Sequence, residues 1–497
     1  MSDAVLIIGG GLSGLAAAVA CSKLGVRAIV VERGAIVGGK LAAPLVDGLD
    51  VADLGSAGSG LDLEAVRALA NDAGLDEPAI DQAGVDKKGS NGIEIFTLAD
   101  VESLEGEPGV FTVSIRQRAR FVTDACTRCN NCPQVCPQVS GNEFDAGLTY
   151  RKAIYTPLQQ TLPGAFVVDI DTCLNTPPNY LPCQRCVEVC DDNAIDFSMP
   201  LVRWHQRRVA AVIIAAGFEE ADNTNLKEFG YGVYPDVVTS VELQRLLQSP
   251  GPTGGFVAKP SNEEYPEVVL FVLQDNAPFA TYILAQQMAR LAEQDIEQIS
   301  LLVLEQRGVG ADADLQALDA MAADADIPLC RGSWVGVREV DEKRLRVGTV
   351  DLATGVASEQ DFDMVVLSSD VAPAVGLAEL AATLEVNLTD SGYIEAVTGG
   401  AGGEDVDECP LATSTSRPGI FVAGCAAGPF SIAQSLEQAR AAVTAVVGHC
   451  CSQSSSFADS SAAEKTEQRG LSEDEQRLRI ERVLESLMLL GERHGEG

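Results

Sequence analysis

The stretch from Ala4 to Glu32 constrains the fold more than any other part of this chain. It reads as a short apolar run, "AVLII", then Gly9-x-Gly11-x-x-Gly14, then "LAAAVACSKLG", then a second apolar run, "RAIVVE", that ends on an acid. Strand, glycine turn, helix and strand in this order open a dinucleotide-binding unit. Gly9 permits the tight turn, Gly11 lets backbone approach a pyrophosphate, and Gly14 lets the helix pack closely on the strand, while the helix N-terminus contributes partial positive charge. Glu32, eighteen residues past Gly14, stands where a carboxylate accepts hydrogen bonds from a ribose. Leu12 and Ser13 at the helix start and Arg33 beside the acid join the candidate contacts.

Several features favour FAD over NAD as the bound dinucleotide. Gly38, Gly39 and Lys40 resemble the second flavin-contacting loop of two-dinucleotide-binding flavoproteins. "AAVIIAAGF" (210–218) resembles the later strand of that fold and adds Ala216 and Gly217 to the candidates. "PGIFVAGCAAGP" (418–429) resembles the strand and loop that cap the flavin and adds Gly424 and Cys425. The helix expected from about Ser431 would point its N-terminus at the isoalloxazine.

A pyridine-nucleotide-dependent protein of this plan needs a second glycine turn. The strand for it is present as "EVVLFVLQ" (267–274), but "DNAPFATYILAQQMARL" follows with no glycine. Side chains on every residue block close approach of a pyrophosphate, so the middle region is expected to be a structural relic closed to NAD(P)H. "ISLLVLEQ" and "DMVVLSSD" supply further buried strands there.

Eight of the fourteen cysteines fall between residues 126 and 190. Cys126, Cys129, Cys132 and Cys136, followed by Pro137, have the spacing of the bacterial ferredoxin run, in which three thiolates hold one cubane and the fourth reaches the other. Cys173, Cys183, Cys186 and Cys190 form a second set with a nine-residue spacer, "LNTPPNYLP". Cross-ligation assigns Cys126, Cys129, Cys132 and Cys190 to one 4Fe-4S cluster and Cys136, Cys173, Cys183 and Cys186 to the other. Zinc knuckles are the alternative, and the long spacer leaves Cys183 open as a spare. The C-x2-C-x2-C-x3-C-P run is too dense for tetrahedral zinc, and the chain has only three histidines, so soft thiolates point to iron and sulfur. Among the other cysteines only Cys425, in the expected flavin loop, has a position that fits redox chemistry.

The formal net charge of −37, from 72 acidic and 35 basic residues, argues against a nucleic-acid partner, since phosphate backbones require a positive surface. It fits either a solvated acidic skin or a docking field for a basic partner. No apolar run reaches the roughly 18 residues of a membrane span and the first residues lack a basic leader, so the expectation is a cytoplasmic protein that is not integral in a membrane. No acid–base pair or nucleophile stands out as catalytic.

These residues together resemble the A subunit of heterodisulfide reductase and its relatives, over about residues 3–447. The resemblance rests on "VGGK", "ARFVTDACTRCNNCPQVCP", "NEFDAGLTYRKAIYTPLQQTLPGAFVVD", "CQRCVEVCDDNAIDF", "FGYGVYPDVVTSVELQRLL" and "PGIFVAGCAAGP", of which "RKAIY" and "YGVYPDVVTS" are not general flavoprotein motifs. It implies FAD, cubane clusters, a homodimer, and association with the other subunits of an electron-transfer complex that handles disulfides or sulfur compounds. Residues 41–125 and 191–329 contain no cysteine, and the extra terminal domains of the methanogen form are not seen, so the layout is closer to the pared-down relatives of sulfur-metabolising bacteria. Competing readings are a stand-alone NAD(P)H oxidoreductase resembling the small subunit of glutamate synthase, and a redox-cofactor scaffold or sensor.

The expected architecture is α/β: a two-dinucleotide-binding-domain, thioredoxin-reductase-like flavoprotein with an inserted two-cluster ferredoxin-like domain. The flavin domain takes residues 1–118, 200–255 and 385–448, the insert 119–199, and the relic 256–384. Residues 449–497 read as a Ser-rich linker and an amphipathic helix with Ser472 and Glu475 as a capping box, which docks on its own body or on another subunit of the complex.

Overall fold

Apolar runs and glycine turns fold at the positions the sequence marks. The computed structural model describes residues 4–39, 92–157, 162–220, 223–248, 251–274, 278–294, 296–304, 319–320, 322–323, 326–340, 343–369, 371–397, 412–430 and 432–460. β1 (Ala4–Ile8) leads through the glycine turn into α1 (Leu12–Lys23) and returns as β2 (Ala28–Val31). β3 (Ile93–Phe96), β4 (Ala99–Glu105) and β5 (Phe111–Arg118) follow.

The insert then begins. It carries α2 (Asn131–Val135), β6 (Val139–Gly141), β7 (Tyr150–Lys152), β8 (Ile154–Tyr155), β9 (Val167–Val168) and α3 (Arg185–Glu188). The chain rejoins the first sheet through the 13-residue β10 (Val202–Ile214). The first half of β10, "VRWHQRR", alternates and pairs antiparallel with β5; the second half, "VAAVII", is buried throughout and lies parallel to β1. One strand thus joins a half-solvated ribbon to a covered parallel sheet, and its sequence changes from polar alternation to a continuous apolar run at the same place. Because β5 and β10 are partners, the insert grows from the open end of a paired ribbon, with the Ala119 N–H donating to the Leu201 carbonyl at 3.0 Å.

β11 (Phe218–Glu220) leads out to a second domain made of β12 (Val237–Thr239), α4 (Ser240–Leu246), β13 (Val268–Leu273), α5 (Pro278–Ala292), β14 (Gln298–Leu304), β15 (Leu329–Val340), β16 (Arg344–Asp351), β17 (Ala357–Phe362) and β18 (Met364–Leu367). β19 (Val371–Pro373) leads back, followed by α6 (Leu377–Leu384), β20 (Ile420–Val422) and α7 (Ile432–Ser460). β11 and β19 pair antiparallel and form the double crossing between the domains.

The first sheet runs β3-β2-β1-β10-β5-β4, with β20 on β10. One face is covered by α1 and α7 through Leu15, Val19, Leu436, Ala439 and Val443, the other by α6 through Leu377, Ala381 and Leu384. The second sheet runs β12-β18-β13-β14-β15-β16-β17, parallel from β12 to β15 and antiparallel beyond. Two α/β units of this kind bear out the α/β, two-domain part of the expected fold class.

Three expected boundaries shift. β12 and α4 lie in 200–255, assigned above to the flavin domain, but β12 hydrogen-bonds to β18 and α4 packs Leu243 and Leu247 into the second core. Likewise α6, expected in the relic, packs into the flavin-domain core. The second domain is therefore the chain between β11 and β19. Finally, α7 continues to Ser460, well into the stretch read as linker. Residues 449–460 contain neither Gly nor Pro, so a Ser-rich composition alone does not stop a helix already nucleated upstream. The amphipathic helix expected around Ser472 lies outside the described residues. Among the described residues, no helix is long and apolar enough to cross a membrane.

Candidate functional site

The glycine turn after β1 has the geometry a pyrophosphate requires. Gly9 has φ +109°, and a Cβ there would lie 2.2 Å from the Ala215 carbonyl oxygen. A Cβ on Gly14 would lie 1.9 Å from the Gly9 oxygen. Gly11 differs, since a Cβ on it would meet only the Gly39 Cα at 4.0 Å. Gly9 and Gly14 are thus needed for packing, whereas Gly11 keeps space open beside the α1 N-terminus, where no side chain caps the first turn. Those N–H groups remain for an anion. Gly39, with φ +52°, closes over Gly11 from the second loop.

Glu32 closes the other end of the turn. Its Oε2 accepts from the Gly10 N–H at 2.7 Å and its Oε1 from the Gly34 N–H at 2.6 Å. Burial pushes its carboxyl above the usual range, opposed by those two bonds and by Arg33. Gly10 and Gly34 are contacts that motif reasoning passed over. The signal for both was the double glycine before Gly11 and the glycine two residues after the acid. Arg33 is strapped across the rim, donating to Asp100 at 2.9 Å and to the Val375 carbonyl. A cavity of about 800 Å³ opens here, lined by Ile8, Gly9, Glu32, Arg33, Gly34 and Ala216 on one side and by Val375, Gly376, Leu377 and Leu380 on the other. Glu32 as ribose acceptor in this cavity, together with the open Gly11 and the uncapped α1 N-terminus of the adjoining glycine turn, fits FAD.

At the far end of the turn, Ser13 meets Gly424. Gly424 has φ +66°, and a Cβ there would lie 2.0 Å from Ser13 Oγ. Its N–H donates to Gln438 Oε1 of α7 at 2.7 Å, another contact that sequence spacing does not reveal. Leu12 packs against the α1–α7 core, and Gly217 has φ +73°. Cys425 sits beside this loop with its thiol 3.4 Å from the Phe430 carbonyl, and burial raises its pKa. Lys40 and Ser431 lie outside the described residues.

In the insert, the eight cysteines divide between two cavities. One is lined by Cys126, Cys129, Cys132 and Cys190, the other by Cys136, Cys173, Cys183 and Cys186. This is the cross-ligated grouping, with Cys183 included. Burial comes first in raising Cys132 to about 12 and Cys186 to about 11, and neighbouring thiols add to it: Cys126, Cys186 and Cys129 for the first, Cys173, Cys136 and Cys183 for the second. Thiolates crowded this way need a strongly positive centre to stay ionised together. Among the described residues, no three Cys, His, Asp or Glu converge as a single metal ion requires; the thiols instead ring apolar-walled cavities, a donor set that fits a cubane. Cys190 Sγ also accepts from the Ala194 N–H at 3.3 Å.

The insert is bonded to the flavin-side loop. The Val37 N–H donates to the Leu162 carbonyl at 3.0 Å, and Arg120 donates to the carbonyls of Ala35 and Ala165. It is also bonded to the second domain: Asp145 accepts from Arg245 Nε of α4 at 2.6 Å and from Asn142 Nδ2 at 2.6 Å. Arg151 pairs with Glu143 and Asp169 and lies over the Tyr155 ring at 4.0 Å. The "RKAIY" stretch is thereby an ion-pair brace for the insert.

At the carboxyl edge of the second sheet, among the described residues, polar groups bond to one another. Gln287, fully buried, donates to the Ser240 carbonyl at 2.6 Å and to Gln244 at 3.2 Å, the Ser369 N–H bonds to Ser240 Oγ, and the Gln274 N–H to Ser368 Oγ.

Residues 7–72 match the model of a NAD(P)-binding Rossmann-like domain. Over 457 residues the chain is 32% identical to the second of the iron-sulfur A subunits of CoB–CoM heterodisulfide reductase in Methanopyrus kandleri, covering 89% of this chain and 63% of that protein. It is 29% identical to the corresponding A subunit of Methanocaldococcus jannaschii, with the same two coverages. The chain thus spans less than two thirds of the length of these relatives. Among solved structures, the thioredoxin reductase of Lactococcus lactis is similar with a TM-score of 0.44 and 13% identity, over 91% of this chain and 100% of that one. Over nine-tenths of its length this chain is thus similar to heterodisulfide reductase A subunits.

Proposed function

We propose that this chain is an oxidoreductase subunit that binds FAD and two 4Fe-4S clusters and passes electrons within a complex like heterodisulfide reductase, in the metabolism of sulfur compounds. The observation that carries the reading is the division of eight cysteines into two cavities of four, beside a glycine-lined cavity that suits a dinucleotide. When bound, FAD exchanges electrons in pairs or singly, and the clusters exchange them singly.

The chain's own residues have separable tasks in this reading. Gly11 and the α1 N-terminus receive the pyrophosphate, Glu32 accepts the ribose hydroxyls, and the Ser13–Gly424 contact holds the capping loop against the glycine turn. The two thiol sets hold the clusters, and Arg120 with the Val37–Leu162 bond keeps the insert against the flavin loop. The absence of glycine between Gln274 and Ala292, where a second nucleotide turn would lie, supports closure of the second domain to NAD(P)H. Disulfide chemistry is assigned to the other subunits of the complex; a homodimer is part of the same proposal.

The test is analysis of the chain purified without oxygen. About eight iron and eight acid-labile sulfide per FAD are expected from two cubanes. Zinc in place of iron, or no labile sulfide, would refute the proposal.

A further inference from the structure

We propose that Ile154 is the partition between the two cluster sites and sets how strongly each cluster responds to the charge of the other. The proposal rests on the two-cluster reading and extends it to a residue outside the ligand set. Among the described residues, Ile154 is the one that lines both cysteine cavities. It is 2% exposed. It sits on the short strand β8, whose partner β9 places Val168 opposite it; Val168 lines only the second cavity, and Phe166, one residue before β9, only the first.

The most buried cysteine of each site, Cys132 on α2 and Cys186 on α3, comes from helices that pack on each other, and β8 packs against α2. The inner sides of the two sites therefore face each other across this strand. A branched hydrocarbon there has no polar atom to hold water, and charges interact more strongly through an apolar medium than through water. Adding one electron to either cluster then makes reduction of the other harder. Transfer between them oxidises one cluster by one electron and reduces the other by one, with no further reactant.

The test is a redox titration of the loaded chain followed by electron paramagnetic resonance. Ile154→Thr and Ile154→Val differ by a hydroxyl at nearly equal size, so their comparison separates polarity from packing. Ile154→Thr is expected to bring the two reduction steps closer together while leaving the spin–spin features of the fully reduced protein, which report the distance between the clusters, as in the parent; Ile154→Val keeps both near those of the parent. Val122→Ala and Val168→Ala, each lining one cavity, are expected to shift one step only. If Ile154→Thr with full iron content leaves the step separation as in Ile154→Val, shifts one cluster alone, or narrows the steps only with altered spin–spin features, the proposal is overturned. A parent chain with a single cluster overturns the two-cluster reading and the proposal with it.

Discussion

The two sheets of this protein share a parallel α/β core, yet their carboxyl edges differ in what they can receive. In the first, β1 ends on glycines that contact backbone so closely that a Cβ would lie 1.9–2.2 Å from a neighbouring oxygen, and Glu32 waits at the end of β2. In the second, β13 ends at Gln274, no glycine occurs from there to the end of α5, and Ser240, Gln244, Gln287 and Ser369 bond to one another across the edge. Architecture supplies a place for a ligand; a handful of residues at the strand ends decide whether it is usable. The second domain has a structural task instead, because its α4 holds the insert through Arg245 and Asp145, both buried.

If this contrast holds, substitutions in the first edge cost flavin, and those in the second domain or at its contact with the insert cost stability. The largest effect is expected from Gly14→Val, whose Cβ falls on the Gly9 oxygen: FAD content after purification should drop to background, measured by flavin fluorescence on denaturation. Next, Asp145→Ala removes the charged partner of the buried Arg245 guanidinium, leaving it the neutral Gln248, and should cost about 3–5 kcal/mol in denaturant unfolding. The FAD affinity of whatever folded protein remains should be unchanged; equal loss of FAD would break the division of labour.

Glu32→Gln removes the charged acceptor for the ribose and should weaken FAD binding about 10- to 100-fold, from a charged hydrogen bond of roughly 1.5–3 kcal/mol. The same residue predicts a pH dependence. Its folded-state pKa is raised, so the neutral form persists above the usual carboxylate range, and the stability it lends the empty fold is full below the unfolded pKa and lost as pH rises through the folded one. The ribose needs the ionised acceptor, so FAD affinity should fall as pH drops through that raised value, and Glu32→Gln should flatten the profile. Smallest is Thr239→Ala in the second domain, which deletes the capping box with Glu242 and should cost about 1 kcal/mol with no change in flavin.

What was legible in the sequence follows the range of the interactions involved. The glycine turn and the thiol groups were legible because they are local: spacing along the chain fixes Gly9, Gly11 and Gly14 around one turn, and ferredoxin spacing assigned even Cys136 and Cys190 to opposite sites. The domain boundaries were not, because β11, β12 and β19 are three residues each, too short for a period, and their assignment depends on partners more than a hundred residues away. Asp145 and Arg245 are separated by 100 residues, and neither carries a local mark of its role. The continuation of α7 was missed for the opposite reason: composition was weighed where the absence of a breaker mattered more.

The contrast between the two edges is tested most directly by mixing the FAD-loaded chain anaerobically with excess NADH or NADPH and following flavin absorbance in a stopped-flow instrument. With a glycine turn at one edge and none at the other, the flavin spectrum should stay unchanged by either nucleotide while a one-electron donor bleaches it. Rapid bleaching by NADH or NADPH would mean that the second edge admits a nicotinamide dinucleotide, and the account would be wrong.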